Sequence, residues 1–268
     1  MFFLNNKVAV VTGAGGVICS VLAKDLAKQG ARVALLDLKL EAAQAVADQI
    51  TAEGYEAMAA EANVLDRDSL EQAAKQIVEK FGHVDILVNG AGGNHPKATT
   101  GPDMSFFDLP VDALKWVSDL NFIGSVLPSQ VFGRLIAERG EGSIINIASM
   151  ASYRPLTKTI AYSSAKAAIV NFTQWFAVHC CKEYSPKIRV NAIAPGFLLT
   201  EQNRFLMQQE DGSLTPRGSL VIQNTPMDRF GTPDEMSGAV IFLCSDAASF
   251  ITGVVLPVDG GFNAFGGV

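Results

Sequence analysis

The sequence predicts an α/β fold, a single doubly wound parallel sheet with helices on both faces. Three observations predict it. Apolar runs of strand length alternate with longer segments of helical period along most of the chain, as in a parallel sheet covered on both sides. A turn built from Gly13, Ala14, Gly15 and Gly16 joins the first apolar run to the first helical segment. The second apolar run ends in a carboxylate, Asp37.

Taken in order, residues 7–12 (KVAVVT) read as the first strand and 17–29 as the first helix. Residues 32–36 form the second strand, 40–53 a helix, 56–60 the third strand and 66–81 a helix. The fourth strand, 84–88, leads into Asn89-Gly90-Ala91-Gly92. A polar stretch with Gly101, Pro102 and Pro110 then breaks the alternation before a helix over 111–138. The fifth strand, 143–148 (SIINIA), opens toward a helix carrying Tyr162 and Lys166, and the sixth covers 188–193. An apolar, glycine-rich end, 253–268, supplies a last strand and tail. No repeat or linker interrupts the chain, so one domain is expected over 1–268, with a helical cap inserted at about 197–225.

The 268 residues are 49% hydrophobic and 18% charged, and a chain of this length buries roughly 75% of its unfolded surface. A net charge of −6 and a pI near 5.1, without a basic stripe, argue against nucleic acid. The start, MFFLNNKVAV, lacks a signal-peptide pattern, and no apolar run reaches the roughly 18 residues of a membrane span. Cys19, Cys180, Cys181 and Cys244 form no CxxC, and only three histidines are present. Neither a metal site nor a disulfide framework is expected, and a cytoplasmic location fits.

Chemistry concentrates in SMASYRPLTKTIAYSSAK, residues 149–166. Tyr162 and Lys166 are four apart and share one helix face. Ser149, thirteen residues before Tyr162, stands at the end of a strand, where it can reach toward that helix. A free phenol titrates near pH 10, and a nearby cation favours its phenolate, which suits proton transfer to or from a substrate oxygen. On spacing alone, a Tyr and a Lys on an amphipathic helix would read the same way. At the other end of the chain, strand, glycine turn and helix make an anion site. Asp37 lies where it would accept hydrogen bonds from an adenosine ribose, favouring NAD(H) over NADP(H), although Lys39 could soften the repulsion of a 2′-phosphate.

Together these features resemble the short-chain dehydrogenase/reductase family over essentially the whole chain. The carrying residues are Thr12-Gly13, Asn89-Gly90-Ala91-Gly92, Asn121, Ser149, Tyr162, Lys166, Pro195-Gly196 and Asp259-Gly260-Gly261. The resemblance implies a Rossmann-type fold with Tyr162 as proton donor or acceptor and Ser149 bonded to the reacting oxygen. Lys166 would bind the nicotinamide ribose and favour the tyrosinate, and Asn121 would hold a water in a proton relay. Gly13, Gly15, Gly16, Val17 and Ile18 would meet the pyrophosphate side of the cofactor. Asn63 and Val64 would lie beside the adenine, with Asn89, Gly90 and Ala91 along the cleft. Pro195, Gly196 and Phe197 would flank the nicotinamide, and Thr200 would meet its carboxamide. The glycine turn departs from the family pattern, with Val17 and Cys19 where glycines are usual. Val17 crowds the pyrophosphate, whereas Cys19 is small enough for close helix packing.

Several loop segments resemble more closely the D-mannonate oxidoreductase (fructuronate reductase) branch: GGVIC at the turn, 92–97, 152–158, 196–204 and 211–217. The implied substrate is a sugar acid, D-mannonate or D-fructuronate, whose carboxylate needs a fixed cation. Arg154 is the first candidate, with Lys97, Lys158 and Arg204 in reserve, and Asn94 and His95 are placed to meet hydroxyls. All of these also read as solvated loop residues. Residues 201–225 would form a mobile cap with Gly212 and Gly218 as hinges, and the resemblance implies a homotetramer. Another polyol or keto acid such as 5-ketogluconate is the alternative substrate. A 3-ketoacyl carrier fits the polar, cationic loops poorly. A non-catalytic dinucleotide sensor is the alternative of a different class.

Overall fold

The computed structural model describes residues 2–267 except Gln202, so Gln202 of the predicted cap and Val268 of the predicted tail lie outside the described residues. Seven parallel strands form one sheet in the order β3-β2-β1-β4-β5-β6-β7. They are β1 (Val8–Thr12), β2 (Arg32–Asp37), β3 (Ala57–Glu61), β4 (Ile86–Asn89), β5 (Gly142–Ile147), β6 (Ile188–Pro195) and β7 (Val255–Val258). The central strands are buried on both faces, β1 and β6 at every residue. This is why they read as unbroken apolar runs rather than alternating ones.

Helices α1 (Val17–Lys28), α2 (Leu40–Ala52) and α9 (Ser237–Cys244) cover one face, burying Leu22, Leu26, Ile50 and Leu243 against it. Helices α3 (Arg67–Phe81), α5 (Gly124–Arg139) and α6 (Ile160–His179) cover the other, with Leu70, Ile77, Phe132 and Ile136 fully buried. Asp66 caps α3 by accepting from the N–H groups of Asp68 and Ser69, and Gly82 ends it at φ 86°, a left-handed conformation that glycine adopts without penalty.

The predicted helix over 111–138 is continuous but not uniform. α4 (Val111–Ser118) passes through a π-helical turn, Asp119–Ile123, before α5 begins. One extra residue in that turn re-aims Asn121 inward, an effect the apolar period does not reveal.

Both ends of the sheet carry polar structure. At its amino edge, the buried Asp85 carboxylate accepts from the Val8 N–H at 2.7 Å and lies 3.1 Å from Arg139 and 3.0 Å from His83. At its carboxyl edge, the strand order reverses between β1 and β4, the switch point where open α/β sheets bind ligands. The cap contains two short helices, α7 (Arg204–Met207) and α8 (Pro216–Gln223). No described helix is long and apolar enough to cross a membrane.

Candidate active site

A cleft of about 590 Å³ opens at the carboxyl edge. Its floor is the first βα turn. Gly13 adopts φ 64°, and a Cβ there would lie 2.8 Å from the Ala91 backbone, so only glycine lets the β1 and β4 loops meet. The Gly15 N–H donates to Asp37 Oδ2 at 3.0 Å, and a Cβ on Gly15 would collide with Ala42. The turn therefore draws Asp37 to the cleft wall, where it is half-buried. Gly16 precedes α1, whose first turn holds no acidic residue, leaving its positive end free for an anion. Cys19 fills the space under Gly90, where a Cβ would strike its sulfur. Burial pushes the Cys19 thiol up to about 12.

Ser149, Tyr162 and Lys166 converge on the opposite wall. Ser149 follows β5, accepts from the Ala151 N–H at 3.1 Å and lines the cleft together with Tyr162. Lys166, buried one turn along α6, donates to the Ile147 carbonyl at 2.7 Å, with Nζ 5.8 Å from the centre of the Tyr162 ring. The Tyr162 phenol is not drawn down by this lysine, as the sequence suggested. Burial raises it, with the Ser149 side chain opposing. Burial also lowers Lys166 to about 8, weakening the cation that was to act on the phenol.

Asn121 is fully buried behind the cleft. Its Nδ2 donates to the carbonyls of Gly93 and Val117, at 2.6 and 2.8 Å, and its Oδ1 accepts from the Gly93 N–H. A Cβ on Gly92 would sit 2.8 Å from Asn121 Oδ1 and 3.3 Å from Lys166 Nζ. The missing side chain leaves a polar niche between the two groups. Asn89 lies deeper, donating to Ser129 and Asn146.

The remaining predicted cofactor residues fall on the same cleft: Gly16, Val17 and Ile18 at the turn; Asn63, Val64, Gly90 and Ala91 beyond it; Pro195, Gly196, Phe197 and Thr200 after β6. Gly15 and Asn89 support it from behind.

Of the predicted substrate residues, the structure brings Ser149 to the cleft and leaves the loop residues outside it. Arg154 is exposed and donates to the Asn263 carbonyl at 2.8 Å, which turns it toward the C-terminal segment. Arg204 pairs with Glu201 at 2.7 Å and with Gln208. Asn94 donates to Thr99, while His95 accepts from the Lys97 N–H and packs edge-on against Trp116. Lys97 and Lys158 are exposed outside the cleft. Gly218 is not free to act as a hinge: a Cβ there would overlap the Met207 carbonyl, so it is a packing point of α8 on α7. Gly212, at φ 83° and unencumbered, remains free to turn. The structure also adds a cleft residue not singled out in the sequence, Arg217. Its only sequence signal was membership of the polar 211–217 segment.

A family profile described as enoyl-(acyl carrier protein) reductase matches residues 13–263. The chain belongs to the short-chain dehydrogenase/reductase family. This oxidoreductase is 48% identical to "Uncharacterized oxidoreductase UxuB" of Bacillus subtilis, over 99% of this chain and 98% of the relative. It is similar to a crystal structure from Haemophilus influenzae provisionally named D-mannonate oxidoreductase, which has bound NAD. That likeness has 49% identity and a TM-score of 0.93, covering 99% of this chain and 98% of the other. D-threitol dehydrogenase of Mycolicibacterium smegmatis is 36% identical over 98% of this chain and 95% of the relative.

Proposed function

We propose that this short-chain dehydrogenase/reductase uses NAD(H) to interconvert a secondary alcohol and a ketone on a sugar acid, with D-mannonate and D-fructuronate as the leading pair. The observation that carries the chemistry is the meeting of a hydroxyl, a phenol and an ammonium on one wall of a cleft whose other wall is a glycine turn with a carboxylate. The glycines leave room for close backbone approach, α1 presents free N–H groups to a diphosphate, and Asp37 offers acceptor oxygens to a ribose. These residues fit NAD. When bound, the nicotinamide supplies or accepts the hydride.

The protein's part is position and proton transfer. Ser149 holds the substrate oxygen by a hydrogen bond and aligns it with the Tyr162 hydroxyl. Burial keeps that phenol protonated at neutral pH, which suits donation to a ketone oxygen in the reductive direction. Lys166, fixed on the Ile147 carbonyl, binds a ribose hydroxyl and stabilises the tyrosinate left after transfer. Asn121 and Lys166 flank a niche that a water can bridge, returning a proton toward Tyr162.

The sugar-acid assignment is supported by the loop segments shared with the D-mannonate oxidoreductase branch and by the name of the Haemophilus relative. The test is NADH oxidation with D-fructuronate, beside 5-ketogluconate and an acetoacetyl thioester, repeated with NADPH. Selective turnover of fructuronate with NADH is expected; preference for 5-ketogluconate or a neutral ketose would replace the substrate and keep the mechanism. A non-catalytic sensor predicts NADH binding without turnover of any of them. We also propose a homotetramer, supported by aromatic and apolar groups left exposed on and just after α6: Trp175, Val178 and Tyr184.

A further inference from the structure

A carboxylate entering a chain of net charge −6 needs a fixed cation, and the cleft offers two basic side chains among the described residues, Lys166 and Arg217. Lys166 is held on the Ile147 carbonyl beside the phenol. Arg217 is exposed and, among the described residues, its guanidinium makes no hydrogen bond to protein and no ion pair. The alternatives are spent elsewhere, Arg154 on Asn263 and Arg204 on Glu201.

The position of Arg217 is built. Thr215 donates through its hydroxyl to the Leu206 carbonyl at 2.7 Å and through its N–H to the Met207 carbonyl at 3.0 Å. The same hydroxyl accepts from the Gly218 N–H at 3.0 Å, and Gly218 packs directly on the Met207 carbonyl. Residues 215–218 are thereby clamped to α7, whose Leu206 and Met207 also line the cleft. The backbone of Arg217 is fixed from both sides while its five-donor fork stays free, the arrangement that suits bidentate carboxylate binding.

We infer that Arg217 determines specificity by receiving the substrate's carboxylate, an assignment that rests on the sugar-acid reading above. A cofactor diphosphate offers similar anionic chemistry, but the glycine turn and the start of α1 already serve it. Arg217 instead rides on the cap and lines the same cleft as Ser149 and Tyr162.

The experiment compares the full-length wild type with Arg217→Met and Arg217→Lys. D-Fructuronate is tested against D-fructose, which carries CH₂OH in place of the carboxylate, and NADH dissociation constants are measured by fluorescence. Arg217→Met is expected to raise the KM for fructuronate about 10- to 100-fold, the usual effect of losing a charged hydrogen-bond partner. Fructose turnover and NADH affinity should stay within about twofold, inside ordinary surface-mutation effects. Arg217→Lys should recover part of the fructuronate KM. Equal losses for acid and neutral ketose, or weakened NADH binding, would overturn the assignment while leaving the sugar-acid reading intact. A wild type that reduces fructose but no sugar acid would overturn both.

Discussion

The same burial acts oppositely on the two titratable groups of the site, raising Tyr162 and lowering Lys166. Two predictions belong at this scale. Tyr162→Phe keeps the ring but removes the proton, so turnover should fall by about 10²–10⁴-fold, with NADH binding intact by fluorescence titration. Lys166 carries a thermodynamic cost. Its folded value of about 8 lies below the ordinary lysine value of 10.5, so below pH 8 the folded protein holds a buried charge that the unfolded chain holds in water. That cost fades as pH rises from 8 to 10.5, where both states become neutral. Lys166→Met loses a hydrogen bond worth about 1 kcal/mol but removes the larger cost of burying the charge. Its Tm should exceed that of the wild type at pH 7 by a few degrees, about 2–4 °C per kcal/mol, and the gap should close toward pH 10.5. A Tm at pH 7 equal to or below the wild type would mean that the charge is well solvated.

At the scale of elements, what was legible in the sequence depended on whether the signal was periodic. The convergence of Ser149, Tyr162 and Lys166 could be read because a strand end and an i, i+4 helical pair fix direction as well as position. The direction of Arg154 could not. Being five residues past Ser149 says nothing about a side chain that a distant carbonyl, Asn263, draws outward. The π-helical turn at Asn121 was hidden for another reason: one inserted residue leaves enough apolar positions in register to keep a helical reading. Glycine at 218 suggested freedom, whereas the structure uses it for contact. Gly218→Ala should therefore separate α8 from α7 and raise substrate KM several-fold. The sheet is untouched, so the Tm should move by less than about 2–4 °C, the equivalent of 1 kcal/mol. An unchanged KM would show that the contact between α7 and α8 is irrelevant to the site.

For the whole molecule, the parallel sheet followed from its parts, and its strand order came from the structure. Alternating apolar runs and helices demand parallel strands, and the glycine turn marks where the order reverses. Assembly is a separate matter, because no periodicity says which exposed faces meet. Light scattering should give about four times the chain mass of 28.5 kDa, and Trp175→Glu should lower it; a monomeric wild type would refute the tetramer. The charge knot around Asp85 has a consequence for descent. It locks β1, β4 and the end of α5 at one pole of the sheet, whereas the groups lining the cleft stand at the other. Changes at well-separated, independent sites combine almost additively, so a lineage can rewrite its loops for a new substrate without first repairing its foundation. Such a scaffold lets diverse appetites radiate from one inherited frame.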